Sequence, residues 1–126
     1  MAPTLEGRTR VLVIEDDRLT AQMVAELLRE IGCEVIGPTS RLIDSIEAMN
    51  AERVDACILD LDLHGRMSYP LARLLRLKGI PFLIVSAYEP EPDNQDVKDT
   101  PYVGKPFSEQ DLVQALNRLI QPAAPD

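Results

Sequence analysis

Short hydrophobic runs alternate along the chain with stretches in which apolar residues recur every three or four positions. A run that is apolar at every position suits a strand buried on both faces, whereas the spaced pattern suits an amphipathic helix. The runs predict strands at residues 10–14, 34–37, 55–60, 82–86 and 101–104. We expect Pro38 to stop the second of these strands.

The first helix is predicted over residues 18–31, and Gly32 follows it as a typical C-terminal glycine. Its apolar residues recur at spacings of three and four, so we expect them to face the core. These residues are Leu19, Met23, Leu27, Leu28 and Ile31.

Three further helices are predicted from residues that favour helix starts. Ser40 is expected to cap the second helix, and Ser68 and Pro70 to begin the third. Ser108 with Asp111 resembles a capping box at the start of the last helix.

Two stretches fit neither pattern, and both are predicted to be loops. Residues 61–67 follow the third strand, and residues 89–100 stand where the alternation calls for a fourth helix. The second stretch has two prolines and many acidic residues but no apolar stripe. We expect it to be the most mobile internal segment of the chain.

The alternation of strands and helices predicts an α/β fold with a parallel sheet covered on both faces. We favour a flavodoxin-like, doubly wound sheet of five strands in the order 2-1-3-4-5, with the fourth helix short or missing. A chain of 126 residues suits one domain. We place it at residues 10–120, between a flexible lead at 1–9 and a flexible tail at 121–126.

Charge and hydrophobicity exclude some classes of partner and location. The formal net charge is -8, which argues against a nucleic-acid-binding surface. No apolar run is long enough to span a membrane, and residues 1–10 lack the apolar core of a signal peptide. Cys33 and Cys57 fall in or beside predicted strands and are expected to be buried thiols. We therefore expect a cytoplasmic protein.

Acidic residues stand at the carboxyl ends of two predicted strands. Glu15 and Asp16 follow the first strand, Asp60 ends the third, Ser86 ends the fourth, and Lys105 follows the fifth. In the predicted sheet these ends share one edge, which is where α/β proteins bind ligands. Clustered carboxylates need a compensating cation, and hard oxygen ligands with open positions suit Mg²⁺. Such a site favours phosphoryl transfer, in which an aspartate can be the nucleophile.

Four short motifs, in order and each at a strand end, resemble the receiver domain of bacterial two-component response regulators. They are Glu15-Asp16, Asp60, Ser86-Ala87 and Lys105-Pro106-Phe107, and the resemblance covers residues 10–120. It implies the CheY-like form of the flavodoxin-like fold. It also implies that Asp60 accepts a phosphoryl group from the phosphohistidine of a sensor histidine kinase or histidine phosphotransferase.

The resemblance assigns a role to each neighbouring residue. Asp16 and Asp60 would bind Mg²⁺ through their side chains, Glu15 through water, and Asp62 through its backbone carbonyl. Ser86 would hydrogen-bond one phosphoryl oxygen and Lys105 would pair with another, with a cis bond before Pro106. Tyr102 matches the switch aromatic that turns inward when Ser86 moves toward the phosphate.

Two departures from the family pattern bear on partners. His64-Gly65 stands where the family usually has Pro and Gly, and the fourth helix, often part of the output or dimer face, is missing. We therefore expect a monomer of the stand-alone, single-domain type, with a downstream protein partner. The kinase is expected to dock near Arg18, Leu19, Gln22 and Met23, and on the loop after Lys105.

Two other functions remain open at this point. Asp60-Leu61-Asp62 after an apolar run also resembles the nucleophile motif of haloacid-dehalogenase-type phosphatases, although that motif usually opens its domain. The chain could also be a receiver-like scaffold that is not phosphorylated. Sustained turnover of small phosphate esters would favour the first alternative, and absence of Mg²⁺ binding would favour the second.

Overall fold

The structure is a computed structural model that describes residues 8–120. The predicted flexible lead and tail, at residues 1–9 and 121–126, lie outside the described residues except for Arg8 and Thr9.

Five parallel strands form the central sheet in the order β2-β1-β3-β6-β7. They are β1 (Arg10–Ile14), β2 (Glu34–Thr39), β3 (Ala56–Leu59), β6 (Phe82–Ser86) and β7 (Tyr102–Gly104). The two strands β4 (Asp62–Leu63) and β5 (Arg66–Met67) form a separate antiparallel pair. With that pair set aside, the sheet has the predicted 2-1-3-4-5 order, so the flavodoxin-like prediction is confirmed.

Four helices cover the sheet. They are α1 (Arg18–Glu30), α2 (Leu42–Ala51), α3 (Tyr69–Leu77) and α4 (Glu109–Ile120). One buried apolar cluster joins α2 and α3 to one face of the sheet, and a second joins α1 and α4 to the other face. Strands β1, β3 and β6 are buried along their whole length, apart from Arg10 at the start of β1. Apolar runs at the centre of a doubly wound sheet are expected to be buried in this way.

The prediction that Pro38 stops the second strand is wrong. Strand β2 continues to Thr39, and a register irregularity opposite Leu12 and Ile14 accommodates the extra residue. The strand lies at the edge of the sheet, where a proline without an N–H group loses no ladder hydrogen bond on its outer side. The Glu15 N–H group still donates to the Thr39 carbonyl at 2.9 Å.

The predicted stripe on α1 is partly wrong. Leu27 and Leu28 are buried, but Leu19 is 78% exposed and Met23 is 38% exposed. The helix instead turns its small residues toward the sheet, and the buried set includes Thr20, Ala21, Val24 and Ala25. Small residues allow close approach of helix and sheet, which rotates the larger side chains at Leu19 and Met23 into solvent.

One of the predicted helix caps is wrong. Arg41 rather than Ser40 stands at the N-cap of α2, and no side-chain hydrogen bond caps that helix. Ser68 and Pro70 begin α3 as predicted, with Ser68 at the N-cap, although the Ser68 hydroxyl donates to the carbonyl of Asp60 at 2.5 Å instead of capping the helix. The start of α4 follows the prediction, because the Asp111 N–H group donates to Ser108 Oγ at 3.1 Å.

The predicted loop at residues 61–67 is a β-hairpin, which corrects that prediction. Strands β4 and β5 pair across the two-residue turn His64-Gly65, whose φ angles are 54° and 80°. Two successive left-handed residues are the signature of a type I′ hairpin turn. We refer to residues 62–67 as the hairpin.

The stretch at residues 89–100 contains turns and no helix, as predicted. It is nevertheless attached to α3 by specific contacts. Val97 is buried in the core beside that helix, and Arg76 donates to the carbonyls of Asp96 and Lys98. We refer to this stretch as the 89–100 segment.

Within residues 8–120, no helix has both the length and the apolar character required to cross a bilayer. Cys33 and Cys57 are buried free thiols, as predicted.

Candidate functional site

The register of the sheet brings the predicted site residues to one edge. Ile14 pairs with Leu59, and the Asp60 N–H group donates to the Ile14 carbonyl at 3.0 Å. The residues that follow β1 and β3 are therefore neighbours. Because both strands are parallel and end at the same level, Glu15 and Asp60 must project from the same edge of the sheet.

Glu15, Asp16 and Asp60 form a compact carboxylate cluster. One oxygen from each residue lies within 4.8 Å of the others. Glu15 and Asp60 are buried, at 6% and 5% exposure, and Asp16 is half-buried. Three carboxylates at this separation repel one another strongly unless a positive charge compensates them.

Lys105 supplies a positive charge inside this cluster. Its Nζ lies 2.9 Å from Asp60 Oδ2 and also donates to Glu15 Oε1. Its backbone N–H group donates to the Ser86 carbonyl at 2.9 Å, which continues the pairing of β6 and β7. The Lys105–Pro106 bond is cis, the geometry that the family resemblance implied. The lysine is thus held by the backbone at one end and by two buried carboxylates at the other.

The cluster shifts the pKa values of its members in different directions. Burial, reinforced by Asp60, raises the pKa of Glu15 to about 8, although Lys105 opposes the shift. Burial also opposes ionisation of Asp60, but hydrogen bonds from Glu15, the Asp62 N–H group and Lys105 outweigh it and lower the Asp60 pKa. Contacts with both carboxylates raise the pKa of Lys105 against the effect of burial. Asp60 is therefore the ionised carboxylate of the pair at neutral pH, and Lys105 remains charged.

The hairpin is attached to the same carboxylates through backbone N–H groups. The Asp62 N–H group donates to Asp60 Oδ1 at 3.0 Å, and the His64 N–H group donates to Asp16 Oδ2 at 2.9 Å. The Ser68 N–H group donates to the Leu61 carbonyl at 2.7 Å. The loop after the third strand is thus held to Asp60 and Asp16, and its end is held to its start at Leu61.

Ser86 and Tyr102 form a second set of contacts at this edge. The Tyr102 hydroxyl donates to the Ser86 carbonyl at 3.2 Å, and the Tyr88 N–H group donates to Ser86 Oγ at 3.2 Å. Ser86 is fully buried and Tyr102 is half-buried. Among residues 8–120, no hydrogen bond joins Ser86 or Tyr102 to the Asp60 side chain.

Two features of the site were not foreseen from the sequence. The Ser68 hydroxyl donates to the Asp60 carbonyl, and His64 donates its N–H group to Asp16. At the same edge Asp17 caps α1 and accepts a 2.6 Å hydrogen bond from the Thr20 hydroxyl, the largest of the effects that lower the Asp17 pKa. The His64-Gly65 pair was the available signal for the hairpin, because a two-residue turn ending in glycine is a hairpin signature.

The donor set fits a hard divalent cation. Glu15, Asp16 and Asp60 offer carboxylate oxygens, which are the ligands that Mg²⁺ prefers. Each of the two aspartates already accepts one backbone hydrogen bond, and a carboxylate keeps further lone pairs for a metal.

Comparison with known proteins matches residues 11–117 to the family described as response regulator receiver domain. The transcriptional regulatory protein PdtaR of Mycobacterium tuberculosis is 30% identical over 111 residues, which are 85% of this chain and 54% of that protein. The chain spans about half the length of the curated relatives it matches.

Solved structures show the same fold. SdrG from Sphingomonas melonis superposes with a TM-score of 0.76 at 26% identity, covering 94% of this chain and 100% of that one. The chemotaxis protein CheY4 of Vibrio cholerae superposes with a TM-score of 0.74 at 21% identity, covering 90% of this chain and 99% of that one. The second likeness bears on the fold alone.

Proposed function

The chain belongs to the response regulator receiver domain family, and from that membership we propose that Asp60 is the phosphoacceptor of a signalling switch. The observation that carries the proposal is the meeting of Glu15, Asp16, Asp60 and Lys105 at one edge of the sheet. This arrangement sets an ionised carboxylate beside a fixed cation and two further carboxylates.

The proposed step is transfer of a phosphoryl group from a phosphohistidine to Asp60. A carboxylate oxygen of Asp60 forms a bond to phosphorus while the phosphorus–nitrogen bond of the donor breaks. The electron pair of that bond stays on the imidazole nitrogen, which then takes up a proton. Catalysis of this kind is mainly positioning and charge neutralisation.

Mg²⁺ would be held by the side chains of Asp16 and Asp60, by Glu15 through water, and by the Asp62 backbone carbonyl. When bound, it would neutralise negative charge on the phosphoryl oxygens. Lys105 holds Asp60 in place before transfer and pairs with a phosphoryl oxygen after it. The Lys105 contact to Asp60 Oδ2 supports this second role.

Ser86 and Tyr102 are proposed to report the phosphorylated state. The Ser86 hydroxyl moves toward a phosphoryl oxygen, which requires it to leave its contact with the Tyr88 N–H group. Because the Tyr102 hydroxyl is bonded to the Ser86 carbonyl, displacement of Ser86 also changes the position of the tyrosine ring. In this way phosphorylation at Asp60 would change the conformation of the protein surface at Tyr102.

The donor is proposed to be a sensor histidine kinase or histidine phosphotransferase, and the output to be altered binding of a downstream protein. The donor is proposed to bind the loop after Lys105 and the start of α1, at Arg18, Leu19, Gln22 and Met23. The exposure of Leu19 and Met23 on the helix that follows Glu15 and Asp16 supports this surface. We propose that the domain acts as a monomer.

The test is the intact mass of the protein after incubation with Mg²⁺ and acetyl phosphate. We expect a single phosphoryl adduct in the parent protein and none in Asp60→Asn. Asp62→Asn is the matched control, because the proposal uses only the backbone carbonyl of Asp62, and it should still form the adduct.

Other outcomes would identify the competing functions. Sustained hydrolysis of small phosphate esters that is lost in both Asp60→Asn and Asp62→Asn would indicate a haloacid-dehalogenase-like phosphatase. No adduct, together with no binding of Mg²⁺ or beryllofluoride, would indicate a scaffold that is not phosphorylated.

A further inference from the structure

A groove of about 410 Å³ lies between the start of α2, the hairpin and the start of α3. Its apolar lining comes from Leu42, Leu63, Met67 and Pro70. Leu42 and Met67 are 49% and 42% exposed, although both are large apolar side chains. Concave surfaces with exposed apolar residues are typical of sites that bind another molecule.

The rim of this groove is basic on a protein that is otherwise acidic. Arg41, His64 and Arg66 line it together with two serines, and none of the acidic residues between positions 8 and 120 does. Residues 63–80 contain no aspartate or glutamate, although the chain has 21 acidic residues. The local charge is therefore opposite to the formal net charge of -8.

The two arginines are available to an incoming ligand. In the described part of the chain Arg66 takes part in no ion pair. Among the residues that the structure describes, Arg41 forms an ion pair only with Asp44, at 3.9 Å and with both side chains exposed, so the pair contributes little. An acidic ligand could therefore form ion pairs with both arginines without displacing a buried partner.

The groove wall is connected to the carboxylate cluster. Leu63 forms part of the lining and lies between Asp62 and His64, whose N–H groups donate to Asp60 and Asp16. A divalent cation on Asp16 would draw electron density from the oxygen that accepts the His64 hydrogen bond. Because His64 is held at a left-handed φ of 54°, weakening that bond would loosen the hairpin turn.

We propose that this groove is the docking site for an acidic segment of a partner protein that inserts apolar side chains, and that it binds this segment most tightly when the carboxylate cluster holds no metal. The acidic residues would pair with Arg41 and Arg66, and the apolar residues would cover Leu42, Leu63 and Met67. A nucleic acid fits less well, since the groove floor is apolar and the whole domain would repel a polyanion. The dependence on metal rests on the proposed function, whereas the docking itself does not.

The first test is selection of displayed random 12-residue peptides on the metal-free protein. We expect enrichment of acidic peptides with leucine-like residues. In an amide NMR titration, a synthetic copy of the enriched peptide should shift the resonances of Leu42, Leu63 and Met67. Enrichment of basic or uncharged peptides, no enrichment, or shifts confined to another surface would overturn the proposal.

Matched variants test the charge argument. Arg41→Glu with Arg66→Glu should weaken binding of that peptide by about tenfold or more. Arg73→Glu with Lys78→Glu changes the net charge by the same amount at two exposed positions outside the groove lining, and it should leave the affinity within about twofold. Equal losses in both proteins would show that binding follows net charge and would overturn the proposal.

The metal dependence is tested by the same titration with and without Mg²⁺ at equal ionic strength. We expect at least about threefold weaker peptide binding with Mg²⁺, and by linkage an equal weakening of Mg²⁺ binding by the peptide. Asp16→Asn keeps an oxygen acceptor for the His64 N–H group but loses a metal ligand, so it should bind peptide without sensitivity to Mg²⁺. An unchanged parent affinity would overturn the coupling.

The outcomes separate this inference from the proposed function. A protein that forms the Asp60 adduct but enriches no acidic peptide contradicts only the docking site. A protein that binds peptide in the groove but forms no adduct contradicts only the phosphoacceptor proposal. If self-association broadens the resonances of Leu42, Leu63 and Met67, the groove binds a second copy of this chain. If an oligonucleotide shifts them and the peptide does not, the groove binds nucleic acid. Either result would overturn the proposal.

Discussion

The hairpin and the 89–100 segment both follow central strands at the same edge of the sheet, and both lack the patterns of long strands or helices. The hairpin is tied to Asp16 and Asp60 by backbone N–H groups. The 89–100 segment is tied to α3 by Arg76 and by Val97. One is therefore attached to the candidate phosphoryl site, and the other to the scaffold.

This difference separates two ways in which an irregular segment becomes ordered. The hairpin depends on two carboxylates that lie beside Glu15 and at the proposed metal site, so its geometry should follow the chemistry of the site. The 89–100 segment depends on a buried valine and on an arginine bonded to carbonyl oxygens, neither of which changes charge near neutral pH. We expect the first to respond to the site and the second only to loss of its own contacts.

The largest expected effect is that of Val97→Ala on stability. Val97 is 4% exposed and belongs to the core cluster beside α3, so removal of its methyl groups should lower the unfolding free energy by about 2 kcal/mol. Chemical denaturation measures the change, and Mg²⁺ affinity should stay the same. Gln95→Ala, at an exposed position of the segment, is the control and should cost less than about 0.5 kcal/mol. Equal small losses would show that the segment is not packed.

The next effect is a pH dependence that originates at Glu15. Its pKa is about 8 in the folded protein against an ordinary value of 4.5, so the folded state retains a proton that the unfolded state has lost. The contribution of neutral Glu15 to stability is therefore complete below about pH 4.5 and declines as pH rises through 8. Because metal binding needs the ionised carboxylate, Mg²⁺ affinity should rise with pH below 8, by up to about tenfold per pH unit.

Calorimetric Mg²⁺ titrations between about pH 6.5 and 8.5 measure this dependence. Glu15→Gln mimics the neutral side chain and should flatten the profile. In the same range the His64 amide resonance should shift while that of Asp96 does not. Parallel shifts of both amides would show that the two segments do not differ in their response to the site.

Arg76→Gln should affect the 89–100 segment alone. Arg76 donates to the carbonyls of Asp96, at 2.6 Å, and Lys98, and to Thr100 Oγ1 at 3.0 Å. The side chain is exposed, so loss of these bonds should cost only about 1 kcal/mol, or about fivefold faster hydrogen exchange in the segment. Arg73→Gln is the control. Faster hydrogen exchange in the hairpin of Arg76→Gln would contradict the conclusion that the two segments are attached independently.

The strand order and the position of the carboxylate cluster were predictable from the sequence because both depend on long apolar runs. Each run of β1 and β3 ends beside an acidic residue, and parallel strands bring those ends together. The same reasoning placed Lys105 at this edge. Ion pairing with Glu15 then follows from proximity, although the size of the Glu15 pKa shift depends on burial that no sequence pattern reports.

The failures have a common physical cause, which is that local patterns do not specify long-range contacts. Strands of two residues are too short to show periodicity, so the hairpin was missed. On α1 the spacing of Leu19 and Met23 also fits a helix stripe, but Ala21 and Ala25 pack against the sheet instead. Ser68 has a residue type that favours helix caps, yet its hydroxyl bonds to Asp60 across the loop.

The smallest expected effect compares two glycines. Gly65 in the hairpin and Gly79 after α3 have φ angles of 80° and 72°, and an added Cβ would meet no atom within 4 Å at either position. Alanine should therefore cost about 1 kcal/mol at each from backbone strain alone. Only at Gly65 does that strain act on the turn that donates the His64 N–H group to Asp16.

Loosening this turn frees the Asp16 oxygen for metal, so Gly65→Ala should tighten Mg²⁺ binding by about twofold while Gly79→Ala leaves it unchanged. The two variants need equal stability losses in denaturation for the comparison to hold. Because that pairing removes stability as an explanation, a difference in Mg²⁺ affinity isolates the hydrogen bond between the hairpin and the site. Equal Mg²⁺ affinities of the two variants would mean that the hairpin donates hydrogen bonds to the carboxylates without influencing their binding of metal.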